Sequence, residues 1–398
     1  MVEKALTATD SDYETHFSKQ FLIQVPATQL RQATKQILPI TIEEIVTTTE
    51  DSLVVLATGT QKFVVSITVD PAEPHLITGL RADPAEQPAA PTTWDGVDAL
   101  LAASAPAISY LVSEVNADGS LTTIKQAGAT TAVPLGSSFK LYVLGALVNA
   151  IETGKASWDE ELTIKDELKS LPSGELQDRP DGSKVTVREA AEKMIQISDN
   201  TATDLLINRL GIDKVEAMLA TMGMSQTSQQ KLLPFMTTRQ LFTLKWGIDP
   251  AQFAAYKSAD LPARREILKT LPSALPSAAA FDPTVPVAIY DVEWFATLEE
   301  ISSAHHWLDA YRSKPGFEPL NAVLGTNPGV ALDPAVWSSF AFKGGSEPGV
   351  LFLGWLLHRK DDRTFFVAVS ATNPSGAVED VGPALAAQGI IELVAKIP

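Results

Sequence analysis

The stretch Arg81-Ala82-Asp83-Pro84-Ala85-Glu86-Gln87-Pro88-Ala89-Ala90-Pro91 holds three prolines and no large apolar residue. It cannot supply a core or continue a helix, and it has the composition of an extended linker. It therefore divides the chain into residues 1–88 and 93–398, with the linker over about 81–92. Within the first unit the apolar period changes once. Phe17, Phe21, Leu22, Val25, Leu30 and Ile37 recur at spacings of three to five, which predicts two helices broken at Pro26. From residue 40 onward the pattern is that of strands, at 41–46, 52–57, 62–69 and 76–80 with polar turns between them. The first unit is expected to be α+β, helices first and a meander after.

The second unit is expected to open with a helix and two strands, 108–114 and 121–126, joined around Asn116-Ala117-Asp118-Gly119, a hairpin turn signal. Helices follow. Thr186 with Glu189, Thr237 with Gln240 and Thr297 with Glu300 each fit a capping box, and Gly154, Gly211 and Gly247 fit helix stops. Strands near 339–343, 350–357 and 364–371 and a helix over about 375–395 come last. Strands from both ends of the unit imply one antiparallel sheet flanked by helices, with a helical subdomain inserted.

Composition narrows the function classes. With 48 Asp plus Glu against 31 Lys plus Arg, the net charge of −17 repels nucleic acid and anionic membrane at long range. The absence of Cys removes disulfides, Cys-ligated zinc, iron–sulfur clusters and thiol nucleophiles together. The longest apolar runs, 141–148 and 350–357, fall far short of the roughly 20 residues that cross a bilayer, so no membrane span is expected. Met1–Thr7 has an acid, a base and no apolar core, so no signal peptide is expected there. There is neither a Gly-rich phosphate loop nor a Gly-x-Ser-x-Gly elbow, and adjacent His305 and His306 project about 100° apart on a helix. No cofactor and no metal is expected.

A serine nucleophile needs a base beside it and donors for the oxyanion it creates. Ser137-x-x-Lys140 and Ser228-x-x-Lys231 both place an amine three residues after a hydroxyl. Only the first leads into a run, Leu141–Val148, that is apolar on all faces. Lys140 is therefore expected to be buried, and burial disfavours its charged form and makes it a proton acceptor near neutrality. The same residues also suit a helix N-cap at Ser137 with Lys140 reaching to solvent. Ser198-Asp199-Asn200 falls on a short loop between two helices, where it can serve a site or cap the second helix. Lys343-Gly344-Gly345-Ser346 ends a predicted strand with two residues that lack side chains, either a place for a ligand to lie against backbone amides or an ordinary strand-end turn.

In this order the three elements form the signature Ser-x-x-Lys, Ser-Asp-Asn, Lys-Thr-Gly, and residues 93–398 resemble a class A serine β-lactamase of the penicillin-binding protein superfamily, with Gly344 where Thr is usual. With the small first unit, the linker, Ser198–Asp204 and Lys343–Gly349, the chain resembles the two-domain lactamase-like proteins of the clavulanic acid gene cluster type. In these a ketosteroid-isomerase-like domain of the cystatin/NTF2-like fold precedes the β-lactamase-like α/β domain. The resemblance implies Ser137 as the acylated nucleophile, Lys140 as its base, and Ser198 as proton relay to the leaving group. It implies Lys343 as the positive charge for a substrate carboxylate and Asn200 as the partner of an acylamino carbonyl. Gly344, Gly345 and Ser346 would line the substrate, and the backbone N–H groups of Ser137 and Ser346 would form the oxyanion hole. The implied partner is a small-molecule β-lactam, peptide or ester, and both an exported and an intracellular protein fit.

One part of the family pattern is missing. Class A enzymes carry a deacylating Glu on the loop after the second motif, whereas Gly223–Met236 holds no Asp or Glu. Gln can orient water there but cannot take its proton at neutral pH. Glu347, beside the third motif, is either a substitute or an exposed loop carboxylate. The expected function is a serine hydrolase acting through a Ser137 acyl-enzyme on a β-lactam or related amide or ester. The alternatives are a penicillin-binding-type esterase or D-alanyl peptidase, and a scaffold that binds a β-lactam-like ligand without turnover. Extra length between the second and third motifs is assigned to helices between about 248 and 320. Nothing in residues 40–80 stands out as an acid or base, so the first unit is expected to be noncatalytic.

Overall fold

The computed structural model describes residues 13–25, 27–49, 51–59, 61–85, 89–276, 280–282 and 284–398. Met1–Thr7, the break expected at Pro26 and the Glu86–Pro88 part of the linker lie outside the described residues. The chain divides into two units, Met1–Ala89 and Ala90–Pro398.

In the first unit α1 (Tyr13–His16), α2 (Lys19–Gln24) and α3 (Ala27–Ile37) precede β1 (Thr41–Thr48), β2 (Ser52–Thr58), β3 (Lys62–Val69) and β4 (Ile77–Pro84). The strands form an antiparallel sheet in the order β1-β2-β3-β4. Among the described residues three helical segments stand where two were expected, because the Ser18 hydroxyl accepts the Phe21 N–H at 3.1 Å and restarts the helix. Tyr13, Phe17 and Phe21, four residues apart, share a core with the alternating Phe63, Val65 and Ile67 of β3. β4 pairs as far as Pro84 opposite Phe63, so Arg81–Pro84 belong to the sheet and not to the linker. As an edge strand β4 tolerates a proline, whose missing N–H would break a central ladder.

The second unit begins with α4 (Trp94–Ser104), β5 (Ala107–Val115), β6 (Leu121–Ala127) and the short β7 (Val133–Pro134), and a 3₁₀ turn, Gly136–Phe139, then leads into α5 (Lys140–Glu152). After β8 (Glu161–Thr163) and β9 (Lys184–Thr186) come α6 (Val187–Gln196), α7 (Asn200–Leu210), α8 (Ile212–Thr221), α9 (Gln226–Leu232), α10 (Thr238–Trp246), α11 (Pro250–Ser258) and α12 (Leu261–Lys269). β10 (Phe295–Ala296), α13 (Leu298–Asp309) and α14 (Pro319–Gly325) lead to β11 (Trp337–Glu347), β12 (Val350–Arg359), β13 (Thr364–Thr372) and α15 (Val381–Val394). α15 starts six residues later than the sequence pattern suggested, at Val381.

Five strands from both ends of this unit form one antiparallel sheet, β11-β12-β13-β5-β6, as the sequence implied. α4 and α15 cover one face, where Val97, Leu101 and Ile390 meet Trp355, Phe365 and Val367. The other face sends Leu111, Phe352, Leu356 and Phe366 into a larger core that contains α5. α5 is buried from Lys140 through Val148, and α6, α7, α8 and α13 pack around it, the arrangement an all-apolar helix demands. Thr237 with Gln240 and Thr297 with Glu300 close reciprocal capping boxes at α10 and α13. Thr186 caps α6 without one, since the Glu189 carboxylate turns to Arg179 instead. Among the described residues no helix is long and apolar enough to cross a membrane.

Candidate active site

Two missing side chains bring the nucleophile turn onto β11. A Cβ on Gly136, whose φ is +48°, would lie 2.7 Å from the Ser346 nitrogen, and one on Gly345 would lie 2.2 Å from the Leu135 oxygen and 2.4 Å from the Ser137 nitrogen. Only glycine permits such backbone-on-backbone approach. Ser138 Oγ donates to the Lys343 carbonyl at 3.3 Å, and the Leu135 N–H donates to the Trp294 carbonyl at 2.9 Å. Phe139 stacks on Trp294 with ring centroids 3.7 Å apart. Of the four turn residues only Ser137 is not fully buried, and it lines a cavity of about 520 Å³. Ser137 thus sits on a 3₁₀ turn and not within the helix; the helix begins at Lys140.

Lys140 is fully buried, which excludes the solvent-reaching alternative. Its Nζ donates to the Ser198 carbonyl at 2.6 Å and to Asn200 Oδ1 at 2.7 Å, with Ser198 Oγ at 3.3 Å. Burial first, then the nearby charge of Lys343, push this amine well below the ordinary lysine range. A neutral amine has two N–H groups, enough for the two short bonds. Its lone pair is then left without a hydrogen, able to accept a proton.

The second motif divides its roles. Asp199 caps α7, its Oδ1 accepting the Ala202 N–H at 2.7 Å, while Oδ2 accepts the N–H groups of Glu175 at 2.7 Å and Leu176 at 2.9 Å. Ser198, at φ +59°, is held in the left-handed region, and its Oγ accepts from Lys343 Nζ at 2.9 Å. Asn200 receives Lys140 on Oδ1 and gives one N–H to the Leu171 carbonyl at 2.9 Å, which leaves its second N–H for a ligand.

Lys343, Gly344 and Gly345 lie inside β11, because pairing with β12 continues through Glu347 opposite Val350. The strand does not end at the third motif, as it was expected to. Lys343 Nζ donates to Ser198 Oγ and, at 2.7 Å, to the Gly344 carbonyl, and burial pushes its pKa down to about 7. The other Ser-x-x-Lys match lies away from the cavity. Ser228 is buried within α9, and Lys231 Nζ stands over the Phe295 ring, 4.2 Å from its centroid.

Glu347 is not an exposed loop carboxylate. Its side chain is 4% exposed and both oxygens accept from Lys245 Nζ, at 2.6 and 2.7 Å. Glu293, equally enclosed, stands 3.4 Å from the same ammonium, and its charge bears on the Glu347 carboxyl. Burial, then Glu293, push Glu347 well above the usual carboxylate range, with Lys245 opposing. Both residues are among those that line the cavity with Ser137, Asn200 and Lys343. Sequence reading passed over Lys245 and Glu293. The available signal was a charge flanked by large apolar residues, as in Leu244-Lys245-Trp246 and Val292-Glu293-Trp294. Asp204 was also missed. Buried at the base of α7, it accepts the N–H groups of Thr238 at 2.8 Å and Arg239 at 2.9 Å, and burial raises it to about 6.

A family model described as "Beta-lactamase enzyme family" matches residues 95–265, which include the first two motifs but not Lys343. Among curated proteins no relative is found. Among solved structures, the β-lactamase of Sphaerobacter thermophilus DSM 20745 is similar with a TM-score of 0.52 at 20% identity, over 76% of this chain and 96% of that one. A β-lactamase of Chitinophaga pinensis DSM 2588 gives 0.52 at 15%, over 76% and 98%. PBP-A gives 0.50 at 16%, over 78% and 98%. At these identities the likeness is one of fold: the chain carries a β-lactamase-like fold, an antiparallel sheet with helices.

Proposed function

We propose that the chain is a serine acyl hydrolase that acts through an acyl-enzyme on Ser137, its substrate a β-lactam or a related amide or ester. The observation that carries this reading is a buried, charge-disfavoured Lys140 whose N–H groups are taken by Ser198 and Asn200, two residues that line one cavity with Ser137. In this reading Lys140 takes the Ser137 proton as Oγ attacks the acyl carbon. The N–H groups of Ser137 and Ser346 hold the oxyanion, and Ser198, bridging Lys140 and Lys343, passes the proton to the leaving group. The second N–H of Asn200 faces an acylamino carbonyl. The first unit, three short helices and a four-stranded meander, is read as a ketosteroid-isomerase-like, noncatalytic domain of the two-domain lactamase-like type.

The test is intact-protein mass after rapid acid quench with benzylpenicillin, a cephalosporin and a nitrophenyl ester, on wild type and on Ser137→Ala. An adduct on wild type that the variant lacks supports the reading. No adduct and no product with any of the three overturns it. A second reading, a scaffold that is acylated or occupied without turnover, is favoured by the carboxylate-free stretch Gly223–Met236. It requires that any adduct persist after the excess acyl donor is removed.

A further inference from the structure

We propose that the carboxyl pair Glu293–Glu347, held on Lys245, is the base that activates the deacylating water, in place of a carboxylate on Gly223–Met236. This rests on the acyl-enzyme reading above and supplies the step that reading lacks.

Position is the first argument. Along β11 the side-chain direction alternates, so Glu347 points to the same side as Lys343 and as the missing side chain of Gly345, which faces the Ser137 nitrogen. Glu347 is also the neighbour of Ser346, one of the two oxyanion donors of the reading. Glu293 is fixed from the other side of the turn. It precedes Trp294, whose carbonyl takes the Leu135 N–H and whose ring stacks on Phe139. The two residues therefore hang from the two supports that position the nucleophile, and both are among the residues that line the cavity with Ser137.

Burial is the second argument. The side chains of Lys245 and Glu293 are 0% exposed and that of Glu347 4%, and an enclosed cluster of three ionisable groups adds little or nothing to stability over an apolar one. Burial first, then the neighbouring Glu293, hold the Glu347 carboxyl well above the ordinary carboxylate range, which makes it a stronger proton acceptor than an isolated carboxylate. That is the property a general base needs and the Gln residues of the loop lack.

In the step itself, a water O–H bond breaks, its proton passing to the pair as its oxygen bonds to the acyl carbon. Collapse of the tetrahedral intermediate breaks the bond from that carbon to Ser137 Oγ. The proton held by the pair passes to that oxygen, and a free carboxylic acid leaves.

The experiment follows the Ser137 adduct by intact mass after excess acyl donor is removed, in wild type, Glu347→Gln and Glu293→Gln, with adduct formation timed in the same samples. The expected result is adduct formation within about tenfold of wild type and an adduct lifetime longer by at least about 10²-fold in both variants, the usual contribution of a positioned base. Adducts that form and decay in both variants as in wild type overturn the proposal, and so does a wild-type adduct that never decays. Should either Gln variant fail to fold, wild-type adduct decay is measured against pH and in deuterated water. The proposal requires decay that slows on the acid side as the carboxyl base is protonated, with a normal solvent isotope effect, and a flat profile overturns it. The absence of any adduct and any product in wild type overturns the acyl-enzyme reading itself, an outcome distinct from unchanged decay.

Discussion

A side chain on Gly345 would bring its Cβ to 2.4 Å from the Ser137 nitrogen, so the strand of the third motif and the turn of the first are in direct backbone contact. Gly345→Ala should therefore displace the turn, lowering the acylation rate by about 10²-fold, the order expected for a shift near 1 Å, and destabilising the fold by about 1–3 kcal/mol. Gly344→Ala is the control, since its Cβ first meets the far end of the Phe342 ring at 3.1 Å, which can move aside. Single-turnover acylation and denaturant unfolding of both variants check this, and equal losses would contradict it.

Lys140 has no route to solvent and no carboxylate in hydrogen-bond contact. Its replacement by Met keeps the volume and removes the proton acceptor. Lys140→Met is expected to lower the acylation rate by about 10³-fold, within the range for loss of a general base, with KM within about threefold of wild type. A burst experiment with a chromogenic ester measures both. Unchanged burst rates would remove Lys140 from the chemistry.

Lys343 should make recognition pH-dependent. Its pKa is pushed down to about 7 from 10.5, so it is a cation below about pH 7 and fades to a neutral amine above. KM for a carboxylate-bearing β-lactam is expected to rise from pH 6 to pH 9, while KM for a neutral ester stays level. The same shift sets a stability trend. Between about pH 7 and 10 the unfolded chain binds a proton at this position that the folded chain does not, so this group makes stability rise with pH across that window. Lys140, lowered for the same reason, contributes with the same sign. Parallel KM profiles for the two substrates, or denaturation midpoints that rise with pH as steeply in Lys343→Met as in wild type, would count against it.

The sequence made local relationships readable and hid the distant ones. Lys140, in a run apolar on every face, announced its own burial. Asp199 before an apolar helix announced a cap, and it is one. Glu347 was misread because Gly344-Gly345 looks like the end of a strand, when cross-strand pairing with Leu353 and Phe352 carries β11 on through them. The Lys245–Glu293–Glu347 cluster draws on α10, the segment before β10 and the end of β11, three elements whose adjacency no short window encodes. In the first unit, β4 continued to Pro84 because an edge strand accepts a proline that a linker reading takes as a stop.

Asp199 and Ser198, adjacent in one motif, should separate stability from catalysis. Asp199 accepts three backbone N–H groups and is buried, so Asp199→Ala leaves three donors without a partner. Counting a lost cap at about 1 kcal/mol and unsatisfied donors at about 1–3 kcal/mol, the variant should lose about 3 kcal/mol by urea unfolding, with Asp199→Asn intermediate. Ser198→Ala removes a hydroxyl whose hydrogen-bond partners, among the described residues, are Lys140 and Lys343. It should unfold within about 1 kcal/mol of wild type, the range of one ordinary hydrogen bond, yet acylate about 10²-fold more slowly because the relay to the leaving group is gone. If Ser198→Ala instead lost stability as Asp199→Ala does and kept its acylation rate, the strained Ser198 would be a structural residue and the proton would need another path.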